Sequence, residues 1–219
     1  DGLGLPCMIA VSDRDRANGE RYLHAWNIVQ LGGQCYHLDA TFDNSLSKYG
    51  TRYDYFNLDD TTVFRDHEPL IAPAPACTDG DHFYYKEKKL SFTKTEEVYK
   101  RSLQTAKKNK TLTFHWRGGY LTREVLAELC LQIDAAAQAR GRAAAISVNW
   151  PQAVLQVRFV DAAQPRRLKL WISLRKQGNL EDSFRKKTHI KNCRTLRRMQ
   201  MQIWSFSVLS VNSILKECQ

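Results

Sequence analysis

The sequence lacks paired cysteines, has little proline outside one stretch, and carries no net charge over most of its length. Its six cysteines, Cys7, Cys35, Cys77, Cys130, Cys193 and Cys218, are scattered and form no C-x-x-C pair. That spacing matches neither a disulfide-dense small domain nor a zinc site, so free thiols are expected, with no metal and no cofactor. Residues 1–163 hold 20 Lys and Arg against 20 Asp and Glu, while residues 164–219 hold 13 against 3, so the whole formal charge of +10 sits in the last quarter. A nucleic-acid partner is therefore not expected for the main body of the chain. Residues 164–219 also contain no alanine, against 19 in residues 1–163, which marks a segment of different composition. Its uncharged run, Met199 to Leu215, spans 17 residues and includes Ser205, Ser207, Ser210, Asn212 and Ser213. That is too short and too polar to cross a bilayer; a membrane surface or a partner protein is the expected contact of this basic tail.

Against these absences stands one dense stretch, residues 23–43, in which two apolar-rich runs flank Gly32-Gly33. Two glycines between such runs predict a hairpin with a two-residue primed turn. Pairs then sum to 65: Leu31 with Gln34, Ile28 with His37, Trp26 with Asp39, His24 with Thr41. With period-two alternation, His24, Trp26 and Ile28 share a face with Thr41, Asp39, His37 and Cys35. His24 and Asp39 become diagonal neighbours, roughly 7–8 Å apart at Cα, a span that their side chains bridge. A carboxylate on one ring nitrogen fixes the imidazole tautomer and stabilises the imidazolium, which suits a Cys-His-Asp or Ser-His-Asp set. His37 reads as a structural histidine.

The string H24-A-W-N, a Gly-Gly turn and C-Y-H-L-D39-A-T-F-D43 resembles the His and Asp motifs of the transglutaminase-like superfamily, papain-like enzymes with a Cys-His-Asp triad. The segments Y53-D-Y-F-N-L-D-D and D66-H67-E-P are similar to the stretch after the Asp motif in its bacterial branch, and C77-T-D-G-D-H-F-Y-Y to the start of a domain that often comes next. The resemblance covers roughly residues 1–160. It implies catalytic roles for His24 and Asp39, with Trp26, Asn27, Thr41 and Asp43 as supporting residues. It also implies acyl transfer or amide hydrolysis on a protein or peptide substrate, without metal or cofactor, in an extracellular or bacterial cell-surface setting.

The family's nucleophile precedes the His, at a helix start in a Gly-x-Cys-x-Gly/Ala type of motif, and no such motif precedes His24. The resemblance therefore implies a catalytic Cys upstream of Asp1, and a chain that is part of a longer protein. Cys35 lies six residues from the His24 pair, about 20 Å away at roughly 3.3 Å per residue. Cys7, in an apolar run after Pro6, reads as a buried strand residue, although a hairpin turning near Asp15 would bring it beside His24. The alternative is a non-catalytic binding or assembly module that keeps the fold.

Further along, Pro69, Pro73 and Pro75 mark residues 66–75 as a linker or extended segment. A second α/β pattern comes after it. Short strands are predicted at 82–86 and 90–93, and the Thr93 and Glu96 spacing opens a helix to about Lys108. Residues 111–116 alternate as a strand. The stripe Val125, Leu126, Leu129, Ile133, Ala137 predicts a helix closed by Gly141, and 144–149 and 153–160 read as strands. The expected fold class is α+β: a partial papain-like core, the antiparallel sheet half (1–75), then a small α/β domain (76–163), then the basic tail (164–219).

Overall fold

The computed structural model describes residues 4–14, 21–73, 75–161, 169–173 and 203–207. The fold is mixed α+β, with two sheets and five helices among the described residues. The first sheet is antiparallel, in the order β1 (Cys7–Arg14), β2 (Arg21–Leu31), β3 (Gln34–Leu38), β4 (Phe56–Leu58). The glycine pair turns β2 into β3 as the sequence predicts. Gly32 and Gly33 have φ of 57° and 85°, the left-handed values of a type I′ turn, and the ladder runs from Leu31/Gln34 to Asn27/Leu38.

The ladder stops there because Asp39 starts a helix. Its carboxylate accepts the Phe42 amide at 3.0 Å and caps α1 (Ala40–Leu46). The expected strand pairs Trp26/Asp39 and His24/Thr41 therefore do not form: an aspartate that satisfies an orphan helix amide ends the strand. β1 departs from expectation too. It is half exposed rather than buried, with Ile9 at 69% and Val11 at 44% exposure, and Leu70 N–H bonds Val11 O at 2.9 Å. The proline-rich stretch thus meets β1 at Leu70.

The second sheet has the order β10 (Ile203–Ser207), β9 (Lys169–Ser173), β7 (Arg142–Asn149), β8 (Val154–Asp161), β6 (Thr111–Trp116), β5 (Ser91–Phe92). Strands β9 and β10 join residues of the basic tail to this sheet, β9 lying parallel to β7. Two of the remaining helices are single turns, α2 (Asp60–Val63) and α3 (Tyr84–Glu87); the latter lies where a strand over 82–86 was expected. Helix α4 (Thr95–Lys107) starts with Glu97 accepting from the Thr93 and Lys94 amides, one position later than the Thr93 and Glu96 spacing predicts. Helix α5 (Arg123–Gln138) buries Leu126, Leu129, Ile133 and Ala137 against Phe114, Ile146, Leu155 and Val157, and Gly141 closes it at φ 63°.

A buried cluster crosses residue 75: Val154 of β8 packs with Phe42, Tyr55, Leu58, Val63, Phe83 and Tyr85. Polar groups cross it as well, with Asn149 Nδ2 donating to Asp54 and Arg65 to the Pro151 carbonyl. The β7–β8 turn is thereby fixed against the first sheet. Because Gly33 needs φ 85° and an L side chain there is strained, Gly33→Val is expected to lower unfolding stability by roughly 1–2 kcal/mol. Urea titration measures this, and an unchanged midpoint would contradict the turn assignment.

Candidate active site

His24 and Asp39 meet, although Asp39 sits one residue past the β2–β3 ladder, as a helix cap. His24 Nε2 lies 2.6 Å from Asp39 Oδ2, and both side chains are nearly buried. Two elements fix the carboxylate independently of His24. Its Oδ1 is taken by the Phe42 amide, and its own N–H donates to Tyr55 O at 2.9 Å beside β4. The His24 ring is stacked on Phe42, with centroids 4.3 Å apart, and Trp26 flanks it at 5.9 Å. Burial pushes the Asp39 carboxyl up, but hydrogen bonds from His24, His67 and the Phe42 amide outweigh it and hold the group at about 2.

His67 is a second histidine on the same carboxylate. Its Nε2 is 2.9 Å from Asp39 Oδ2 and its Nδ1 is 2.8 Å from Asp66 Oδ1, with 3% of the residue exposed. Asp66 in turn accepts the Tyr55 hydroxyl at 2.6 Å and Gln152 Nε2 at 3.1 Å. Both carboxylates therefore already receive other donors, and both nitrogens of His67 donate. An imidazole donating from both nitrogens is the imidazolium. Burial lowers the His67 pKa, and the bonds to Asp39 and Asp66 with their charges more than reverse it, so the net direction is upward.

A third histidine differs in kind. Trp26 Nε1, which can only donate, bonds His37 Nδ1 at 2.9 Å, so His37 carries its proton on Nε2 and gives it to Asp60 Oδ1 at 2.7 Å. His37 is 1% exposed, and burial lowers its pKa. It is a neutral structural ring that fixes Trp26, as the sequence reading expects.

Among the described residues, two three-residue groups have metal-ligand atoms within 4.8 Å of one another, His24/Asp39/His67 and His37/Asp60/Cys77. In the second, the ring nitrogen facing Asp60 holds the proton that Trp26 forces onto it. In the first, both His67 nitrogens hold protons. A cation at either place would have to displace a proton that a buried partner keeps there.

The expected supporting residues divide. Trp26 is buried, and its indole edge meets His67 with centroids 4.8 Å apart, so it belongs to the site. Asp43 is buried and accepts the Tyr55 amide at 3.0 Å; burial and the Asp54 charge push its carboxyl up to about 8, which leaves it protonated at neutral pH. Asn27 and Thr41 are not brought to the site. Asn27 lies exposed on the outer face of β2, its Nδ2 3.6 Å from Cys7 Sγ, and Thr41 is exposed on α1 because the chain turns helical at Asp39.

No described thiol accompanies His24. Ser12, not Cys7, pairs with His24, and Cys7 pairs with Val29, five residues along β2 or about 17 Å at roughly 3.3 Å per residue. Cys35 pairs with Gln30, farther still. Cys77 and Cys130 are buried, and burial pushes each thiol up to about 12. Cys193 and Cys218 lie outside the described residues.

His67 and Asp66 escaped the sequence reading as site residues because prolines at 69, 73 and 75 make this stretch look like linker, and Tyr55 was read only within Y53-D-Y-F-N-L-D-D. The available signal was an adjacent Asp-His pair just before those prolines. As pH falls, the Asp39 contribution has a definite sign: its folded pKa is depressed to about 2, so the stability it adds is present above about 3.8 and lost as pH falls toward about 2. Asp39→Asn, which keeps a capping oxygen, is expected to cost about 2 kcal/mol at pH 6, with the deficit shrinking below pH 4. Urea melts of both forms over pH 2–6 measure it, and a pH-independent deficit would contradict an ionised, doubly bonded Asp39. No family model and no curated protein matches this chain.

Proposed function

We propose that this chain carries the histidine and aspartate of a papain-like, transglutaminase-like Cys-His-Asp site that performs acyl transfer or amide hydrolysis on a protein or peptide. The observation that carries this reading is the 2.6 Å contact between His24 Nε2 and a buried, ionised Asp39. Asp39 orients the ring and stabilises its imidazolium form, while Nδ1 is the nitrogen that exchanges the proton.

In this reading a cysteine outside the described residues attacks a carboxamide carbon. The S–C bond forms, the C–N bond breaks, and the departing nitrogen takes its proton from His24. Water or a lysine amine then attacks the thioester, giving a proton to His24 and releasing the thiolate. Water gives deamidation or proteolysis; an amine gives a cross-link. A second reading, a binding or assembly module that keeps the fold, is favoured by one observation: the four described cysteines all lie away from His24 or carry a raised thiol pKa.

Thiol alkylation of the intact natural protein that contains this chain separates the two. The acyl-transfer reading expects one cysteine to react with iodoacetamide near neutral pH, and His24→Ala to slow that reaction about tenfold or more by removing the proton acceptor. Ammonia release from a glutamine-containing peptide should fall about 10³–10⁴-fold in Asp39→Asn. Unchanged thiol reactivity in His24→Ala would leave the binding module standing.

A further inference from the structure

His67 has no role in the triad chemistry above, yet both of its ring nitrogens are bonded to buried carboxylates. Asp39 Oδ2 is shared, at 2.6 Å from His24 and 2.9 Å from His67. Behind His67 stands Asp66, held by Tyr55 from β4's approach and by Gln152 from the β7–β8 turn. We propose that His67 is a positioning residue for the His24–Asp39 pair, a buried cation held between Asp39 and Asp66 that limits how much of the Asp39 charge His24 feels. This rests on the acyl-transfer reading only for its meaning to catalysis; the charge arrangement stands without it.

The electrostatics come down to the ionisable groups around the ring. Facing His67 are Asp39, Asp66 and His24, with Tyr55 behind Asp66. His37 lies beyond Trp26 close enough for the two histidines to repel, and Asp43 interacts with Asp39 while itself protonated at neutral pH. Two carboxylates and one imidazolium leave the cluster at a single negative charge when His24 is neutral. Protonating His24 brings it to zero. Without the His67 cation, the Asp39 charge would act on His24 uncompensated, with Asp66 behind it, and His24 would hold its proton more strongly and be a poorer acceptor near neutrality.

The geometry supports a held cation rather than a passive spacer. The ring has Phe42 at 4.6 Å, Trp26 at 4.8 Å and Tyr55 at 5.4 Å around it, so the aromatic walls fix its plane while the carboxylates fix both nitrogens. Gln152, 1% exposed, spends its amide N–H on Asp66 and the Thr62 carbonyl. The second sheet thereby sets the position of Asp66, and through it the charge on His67.

Nitrogen-15 NMR of the imidazole rings in the full chain tests the proposal without a substrate. In the wild type, both His67 nitrogens are expected to carry protons at pH 7.5, well above the ordinary midpoint of about 6.5 for histidine. In His67→Gln, the pH at which His24 takes up its proton is expected to rise by about one unit, a tenfold change in proton affinity. Asp66→Asn, which keeps an acceptor for Nδ1 but removes a charge, should make His67 titrate in the neutral range and serves if the glutamine variant does not fold. A wild-type His67 with one bare nitrogen at pH 7.5, or an unmoved His24 titration in a folded His67→Gln, would overturn the proposal. In the intact natural protein, the acid limb of glutamine deamidation should move upward in parallel with the His24 titration. Absence of turnover with the NMR shifts intact would count against the acyl-transfer reading and leave the charge role of His67 in place.

Discussion

One carboxylate organises the first half of this chain. Asp39 ends β3, caps α1 through Phe42, takes its backbone position from the Tyr55 carbonyl, and receives both His24 and His67 on a single oxygen. The bonds from Phe42, His24 and His67 draw on the same ionised group in a site almost closed to water, where an unpaired charge is costly and a well-bonded one is held firmly. The strand-to-helix corner is therefore both a structural hinge of the sheet and the place where the histidines are collected. β2, α1, the residue before β4 and His67 all meet at this one aspartate.

The second sheet supports this corner with polar contacts as well as with the apolar packing of Val154. Arg52 and Asp54 form a buried pair at 2.5 Å, and Asp54 also accepts Asn149 and the Tyr85 hydroxyl. Burial disfavours the Arg52 charge, but the adjacent Asp54 raises its pKa more, so the guanidinium stays charged. A buried pair of this kind adds little net stability compared with apolar packing, but removing one partner strands the other. Its effect is positional: Asn149 at the end of β7 reaches Asp54, and Gln152 in the turn to β8 reaches Asp66, which also accepts the Tyr55 hydroxyl. The turn thus registers one sheet against the other with side-chain hydrogen bonds, which tolerate little sliding.

How much of this was readable beforehand depended on how local each determinant is. The Gly32-Gly33 turn, the period-two faces of the hairpin and the stripe on α5 are short-range patterns, and the structure carries the expected register and helix. The His24–Asp39 contact was legible for the same reason, although by diagonal pairing of two strands, whereas Asp39 in fact sits one residue past the strand. An aspartate before a helix was the signal missed: D39-A-T-F-D reads equally as the end of a strand or as a cap, and the capping bond decided it. His67 was not legible because its burial depends on Gln152 and Trp26, 85 and 41 residues away, and local composition points to solvent. Strands β9 and β10 likewise sit in a stretch whose charge pattern suggested separation from the sheet that they extend.

The Trp26 indole gives the site an optical property. It is the single tryptophan in residues 1–75, and its ring lies edge-on to His67 at 4.8 Å and stacked toward His24 at 5.9 Å. A protonated imidazole accepts an electron from an excited indole far more readily than a neutral one does. The emission of this one residue, isolated by replacing the other tryptophans with phenylalanine, therefore reads out the charge of two buried rings as light intensity, on a timescale that no titration of bulk stability resolves.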